Sequence, residues 1–244
     1  MKRIKLLFVA VITIFIATVT VNAKEVTVKK YNYVYSDTTI ADFNKISILN
    51  GINVVYAQSE SKAGKVRIYA PEGDDVVSIT SKNGLLSIRY GRGYNRNFGV
   101  IMVYVYSKEL TQVDCSVGAN FTAEGIVSGN KLKLKVLNKS LIRCKNIVYD
   151  EVVVKRGLGR GDILLSGKAR KATYSIIGSG EIDADNLVAE EVTCKILGKG
   201  DIGCHVNKDI SVRSWGKGAA YCKGELKISG KNKKIREMPT KAEE

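Results

Sequence analysis

The stretch Gly159-Arg160-Gly161-Asp162 returns as Gly178-Ser179-Gly180-Glu181, as Gly198-Lys199-Gly200-Asp201 and as Gly216-Lys217-Gly218-Ala219. The second glycines stand 19, 20 and 18 residues apart. Two weaker copies, Gly118-Ala119-Asn120 and Asn138-Lys139-Ser140, continue the series upstream with steps of 20 and 21 between middle residues. Self-similarity at this period is the mark of a solenoid. Glycine suits the corners because a tight turn needs positive φ.

Aligning the turns sorts the strand residues into columns. Two residues past each turn come Ile142, Ile163, Ile182, Ile202 and Ala220. Before the turns, alternate residues form inward rows: Leu132, Leu134, Val136; Ala172, Tyr174, Ile176; Val192, Cys194, Ile196; Ile210, Val212, Ser214. Strand side chains alternate between faces, so each coil contributes one inward row. Flat parallel sheets need crossover connections of a dozen or more residues, and the chain has none. An antiparallel sandwich would also suit short strands, but hairpins give no reason for a twenty-residue register. The expected fold is all-β, a parallel β-helix with about 20 residues per coil.

Upstream, short strands are expected near 44–50, 52–57, 64–70, 75–79, 85–90 and 100–106. Pro71-Glu72-Gly73-Asp74 and Lys82-Asn83-Gly84 supply turns. The chain divides into a targeting segment (1–23), an irregular N-terminal β portion (24–110), regular coils (111–230) and a charged tail (231–244). The first segment has a basic start at Lys2, Arg3 and Lys5, an apolar run from Leu6 to Val21, and Val21-Asn22-Ala23 as a cleavage site, the pattern of a signal peptide. An uncleaved anchor is the rival reading. Cleavage takes the formal charge from +15 to +15 − 3 = +12, and no later run is long enough to span a bilayer. So basic an exported chain implies an anionic partner or a surface that resists aggregation.

Catalytic candidates are scarce. His205 is the one histidine and reads as a surface residue beside a corner. Asp162, Glu181 and Asp201 form an acid ladder, too closely stacked for a glycosidase pair and expected to balance nearby lysines. The five cysteines form no Cys-x-x-Cys pair. Cys144, Cys204 and Cys222 share one column, Cys194 and Cys115 take inward slots, and all five read as core thiols; a Cys204–Cys222 bridge is the alternative. Neither metal nor cofactor is expected.

The basic residues fall into two columns. Turn middles read Lys139, Arg160, Ser179, Lys199 and Lys217. The outward slot before the turn reads Lys135, Arg156, Ser175, Lys195 and Arg213, although the coil of Arg156 carries an extra residue that would otherwise turn Lys155 inward. The eight cations Lys135, Lys139, Arg156, Arg160, Lys195, Lys199, Arg213 and Lys217 are the candidate binding stripe for an anionic glycan or envelope polymer. The bland alternative is a solvated edge that blocks sheet aggregation. No aromatics interleave with the stripe, which argues against nucleic acid. Tyr31, Tyr33, Tyr35, Tyr94, Tyr104 and Tyr106 cluster in the first half, most as half-buried strand residues.

The segments Asp42-Phe43-Asn44-Lys45-Ile46 and Leu49-Asn50-Gly51-Ile52-Asn53-Val54, followed by Asn83-Gly84-Leu85-Leu86-Ser87-Ile88 and the Gly-x-Gly turns, resemble the head GIN domain family over residues 40–230. That resemblance implies an exported right-handed β-helix without recognisable catalytic residues, of a family described as bacterial auto-transporter adhesins. Arg or Lys replaces the usual Ser in several turns. The leading function is therefore non-enzymatic binding or adhesion at the bacterial cell envelope or surface. The alternatives are a lyase-like polysaccharide enzyme on the same fold and a structural envelope protein that stacks into homo-oligomers.

Overall fold

The computed structural model describes residues 31–224 and 234–238; the signal-segment expectation (1–23) and most of the charged tail lie outside them. The described chain is a β-solenoid of about six turns at roughly twenty residues per turn. Seven strands precede the repeat: β1 (Tyr33–Thr39), β2 (Lys45–Leu49), β3 (Asn53–Gln58), β4 (Lys65–Pro71), β5 (Val77–Lys82), β6 (Leu85–Tyr90) and β7 (Met102–Ser107). The coils continue through β8 (Gln112–Ser116), β9 (Asn120–Glu124), β10 (Val127–Val136), β11 (Leu141–Arg156), β12 (Asp162–Gly178), β13 (Glu181–Gly198), β14 (Asp201–Gly216), β15 (Ala220–Lys223) and β16 (Ile235–Glu237).

The columns read from the sequence are columns in space. Ile142 pairs with Ile163, Ile163 with Ile182, Ile182 with Ile202, and Ile202 with Ala220, all in parallel register. All five are fully buried. The same column runs back through Phe121 and Val54 to Val103. Interior side chains thus stack on their equivalents, and one continuous apolar core follows the axis.

The N-terminal portion joins this stack out of chain order. Strand β2 pairs with both β6 and β8, and β3 with both β7 and β9, all parallel. The coil made first by the chain therefore lies between the coil of residues 85–107 and that of residues 112–124. The end coil is covered by antiparallel strands: β5 on β6, β4 on β7, and β1 on β4. This cap gives the last parallel edge a partner, and an open edge would invite pairing with another chain.

Gly51-Ile52-Asn53 is the corner of that inner coil. Asn50 takes φ 68°, and its Oδ1 accepts the Tyr90 N–H at 3.3 Å. Ile52 is fully buried. Asn53 accepts from Asn120 Nδ2 at 2.6 Å and donates to the Ile101 carbonyl at 3.4 Å. Gly118-Ala119-Asn120 is the same corner one coil on. Backbone bonds from Leu141 N to Ala119 O and from Asp162 N to Ser140 O stack Ala119, Ser140 and Gly161, one place off the spacing inferred from the sequence.

The glycines of the turns answer two needs, conformation and space. The first carries the positive φ, at 96° in Gly178, 128° in Gly198 and 126° in Gly216. Gly180, a second glycine, shares it at 124°, and the second glycine is also needed for space. A Cβ on Gly200 would lie 2.5 Å from the Ile176 side chain and 2.9 Å from the Gly180 carbonyl.

All five cysteines are buried free thiols. Cys204 and Cys222 are register partners with Sγ atoms 2.7 Å apart. Burial pushes the Cys144 thiol up to about 12 and raises that of Cys115. A hydrogen bond with Cys194, then burial, raises that of Cys204 against an opposing bond with Cys222, and the bond with Cys204, then burial, raises that of Cys222. The thiolate is the reactive form, so the folded chain should resist thiol reagents. Ellman's reagent should titrate essentially no thiol in the native protein and all five after denaturation. A denatured titre of three would show that one disulfide has formed, for which Cys204 and Cys222 are the pair in reach.

Candidate functional site

The turn edge of the coils gathers the basic columns. Lys135 pairs with Lys155, Lys155 with Ser175, Ser175 with Lys195, and Lys195 with Arg213. The turn tips Lys139, Arg160, Lys199 and Lys217 are exposed, and turn-to-turn backbone bonds join neighbouring turns. Lys199 N and Lys217 N donate to Gly178 O and Gly198 O, each at 2.9 Å, and Lys139 N donates to Arg160 O. Seven of the eight cations expected from the sequence stand on this edge.

Arg156 is the correction. It pairs with Val136 and Ile176 in the inward column and is 3% exposed, while Lys155 takes the outward slot. The extra residue of this coil lies after Arg156, within the turn, so counting back from Gly161 lands one place off. The guanidinium is held by the turn itself. Nε donates to Gly161 O at 2.9 Å, Nη2 to Gly159 O at 2.7 Å and Nη1 to Gly157 O at 3.3 Å. It fills the space a Cβ on Gly180 would need. Burial lowers its pKa from the usual value, with Asp162 opposing.

Between the two basic columns runs a row the sequence reading missed. Ile177 pairs with Leu197, and Leu197 with Trp215. Leu158, displaced by the extra residue, continues the row beside Gly178. Their exposures are 67% for Leu158, 47% for Ile177, 53% for Leu197 and 67% for Trp215. The signal was in the sequence: Lys195-x-Leu197-x-Lys199 and Arg213-x-Trp215-x-Lys217 alternate cation, apolar residue and cation on the outward parity of a strand.

Another corner of the same coils treats charge differently. Its columns alternate in sign over four coils: Lys131, Glu151, Lys171, Glu191 in register, before Asp209 follows Glu191, with Asp150, Arg170, Glu190, Lys208 beside them. Ion pairs join Lys131 to Glu151 (2.6 Å), Lys171 to Glu191 (2.9 Å), Lys208 to Glu190 (2.8 Å) and Arg170 to Asp150. Hydrogen bonds from Arg170 and Lys171 hold the Asp150 and Glu191 carboxyls below the usual carboxylate range. Among the described residues, no ion pair reaches any cation of the turn edge.

The remaining candidates are spread out. Glu181 and Asp201 are register partners, yet neither they nor Asp162 form an ion pair among the described residues. Asp201 instead accepts the Ala219 N–H at 2.9 Å, so at that coil the ladder ties a turn down and no direct pairing balances the lysines. His205 is half-buried beside Val188 and Lys223. Of the six tyrosines, Tyr35 is exposed and the rest are half-buried. Among the described residues, no group of three His, Cys, Asp or Glu side chains could hold a metal ion, and no helix is long and apolar enough to cross a membrane. A hollow of about 360 Å³ lies among the turn tips, lined by Val117, Gly118, Asn138, Lys139, Gly159 and Arg160.

The described chain is thus a capped β-solenoid with a cationic turn edge. The chain belongs to the family described as "putative auto-transporter adhesin, head GIN domain", whose model matches residues 42–225. Among solved structures it is similar to a putative adhesin of Bacteroides fragilis at 23% identity and TM-score 0.72, with 85% of this chain and 92% of that one covered. It is also similar to a putative adhesin of Parabacteroides merdae at 25% identity and TM-score 0.56, covering 78% and 96%. A protein of Parabacteroides distasonis titled a putative lipid binding protein matches at 18% identity and TM-score 0.58, covering 79% and 97%. The first and third likenesses show the fold alone. No curated protein matches the sequence.

The reassignment of Arg156 separates two neighbouring substitutions. Arg156→Ala strips three turn carbonyls of their donor and should cost on the order of 1–3 kcal/mol. Lys155→Ala, on the exposed face, should stay within about 0.5 kcal/mol. Urea unfolding of both variants checks this, and equal costs would contradict the register.

Proposed function

We propose that this chain is an exported, non-enzymatic adhesion protein of the bacterial cell envelope or surface, and that its turn edge holds an anionic glycan. One observation carries the reading: two columns of like charge stand unopposed on a scaffold that neutralises charge column by column at another corner. Like charges one strand apart repel. The fold bears that repulsion at the turn edge, and a polyanion lying along the axis would relieve it. The family description and the neighbours named adhesins support the adhesive role. Lys155 replaces Arg156 in the binding set, which becomes Lys135, Lys139, Lys155, Arg160, Lys195, Lys199, Arg213 and Lys217.

The reading requires salt-sensitive binding, because exposed charges are screened within about 10 Å at 0.1 M salt. Immobilised polygalacturonate should retain the protein at low salt and release it as salt rises, while neutral dextran should not retain it. The double charge reversal Lys199→Glu with Lys217→Glu should weaken retention at least tenfold. Salt-insensitive binding, or none, overturns the glycan reading. Release of unsaturated uronides from the polymer would instead establish the lyase alternative.

A further inference from the structure

The glycan reading uses only the cations of the turn edge and leaves the apolar row between them unexplained. In the coils of Leu197 and Trp215 the outward order across the edge is cation, apolar side chain, cation: Lys195, Leu197, Lys199, then Arg213, Trp215, Lys217. The coil between Leu158 and Leu197 presents Ser175, Ile177 and Ser179. The row Leu158, Ile177, Leu197 and Trp215 spans about 14 Å at roughly 4.8 Å per coil. Its four members keep between 47% and 67% of their surface in water. The row is aligned with the fold axis rather than scattered, and contiguous exposed apolar surface marks an interaction site.

The charge around the row selects its occupant. Four cations on one side (Lys135, Lys155, Lys195, Arg213) and four on the other (Lys139, Arg160, Lys199, Lys217) make no ion pair among the described residues. An apolar strip with an indole at one end and ammonium and guanidinium groups on both flanks matches the layering of an anionic bilayer. Lys and Arg meet the phosphate level, and Leu, Ile and Trp enter the boundary between headgroups and acyl chains. We propose that this edge docks on an anionic phospholipid bilayer, with the Leu158-Ile177-Leu197-Trp215 row inserted at the interface and the two basic columns on the headgroups. The proposal rests on the reading of the turn edge as a binding face but takes a different ligand. It makes the edge an attachment device that lays the solenoid axis along the membrane plane.

Trp215 is the chain's one tryptophan, so its fluorescence reports on this edge alone. The full chain is mixed with vesicles of phosphatidylglycerol and phosphatidylcholine in equal parts, and separately with phosphatidylcholine alone. With the anionic vesicles, Trp215 emission should shift to shorter wavelength and be quenched by lipids brominated on the acyl chain; with the neutral vesicles neither should occur. The exposed pair Ile177→Ser and Leu197→Ser should weaken the fluorescence-detected binding at least tenfold while leaving polygalacturonate retention intact. Sedimentation with anionic vesicles but unchanged Trp215 emission would mean that another segment or charge alone makes the contact, and overturns the proposal; so does the absence of binding. Glycan retention with silent Trp215 removes this proposal and keeps the glycan reading. A Trp215 response without glycan retention does the reverse.

Discussion

Stacking in register is the constraint from which the rest of this molecule follows. Each turn lays its strands on those of the turn before, and a given position meets its own equivalent about one strand spacing away. Inside, the consequence is simple. Ile163, Ile182 and Ile202 can share a column because each buries apolar surface against the next. Outside, the same rule is demanding, since any charge placed once per turn meets its own kind. The fold answers in two ways. One corner alternates Lys, Glu, Lys and Glu over four coils, with ion pairs from Lys131 to Glu151 and from Lys171 to Glu191. The turn edge repeats cations around an apolar row, and among the described residues no acid forms an ion pair with them.

The turns show how such a stack tolerates irregularity. Six residues separate Ile176 from Ile182 and Ile196 from Ile202, but seven separate Arg156 from Ile163. The extra residue is confined to the loop of Gly157 to Gly161, so the strands on either side keep register. Its cost is a turn with carbonyls to satisfy. The guanidinium of Arg156 satisfies three of them from inside, in a column where Val136 and Ile176 are aliphatic. A residue that looked like part of a binding stripe is thus part of a corner. The glycines of the other turns serve the same end by making room, since the second glycine of each pair lies against the turn beneath it.

Much of this was legible in the sequence because the interior repeats. The twenty-residue period, the inward rows, the buried cysteines and most cations of the edge follow from counting back from the glycines. Counting failed where parity was lost. The inserted residue lies between the strand and the reference glycine, which exchanged Lys155 and Arg156. The insertion of the coil of residues 45–58 between those of 85–107 and 112–124 was also hidden. It is set by long-range parallel pairing of β2 with β6 and β8 and of β3 with β7 and β9, and no local period records it. The apolar row was missed for a different reason: Ile177, Leu197 and Trp215 were within view, but hydrophobic residues beside a turn are ordinarily assigned to the core. Only their outward parity distinguishes them.

The register of the turn edge is the claim on which the charge columns and the apolar row both depend. Nitroxide labels at cysteines introduced for Ser175 and Lys195 test it directly by continuous-wave electron paramagnetic resonance, because those positions are strand partners twenty residues apart. Strong dipolar broadening is expected for that pair, with weaker broadening when the second label is moved one coil further to Arg213. Spectra equal to the sum of the singly labelled proteins would show that these residues are not neighbours, and the stacked edge would not exist.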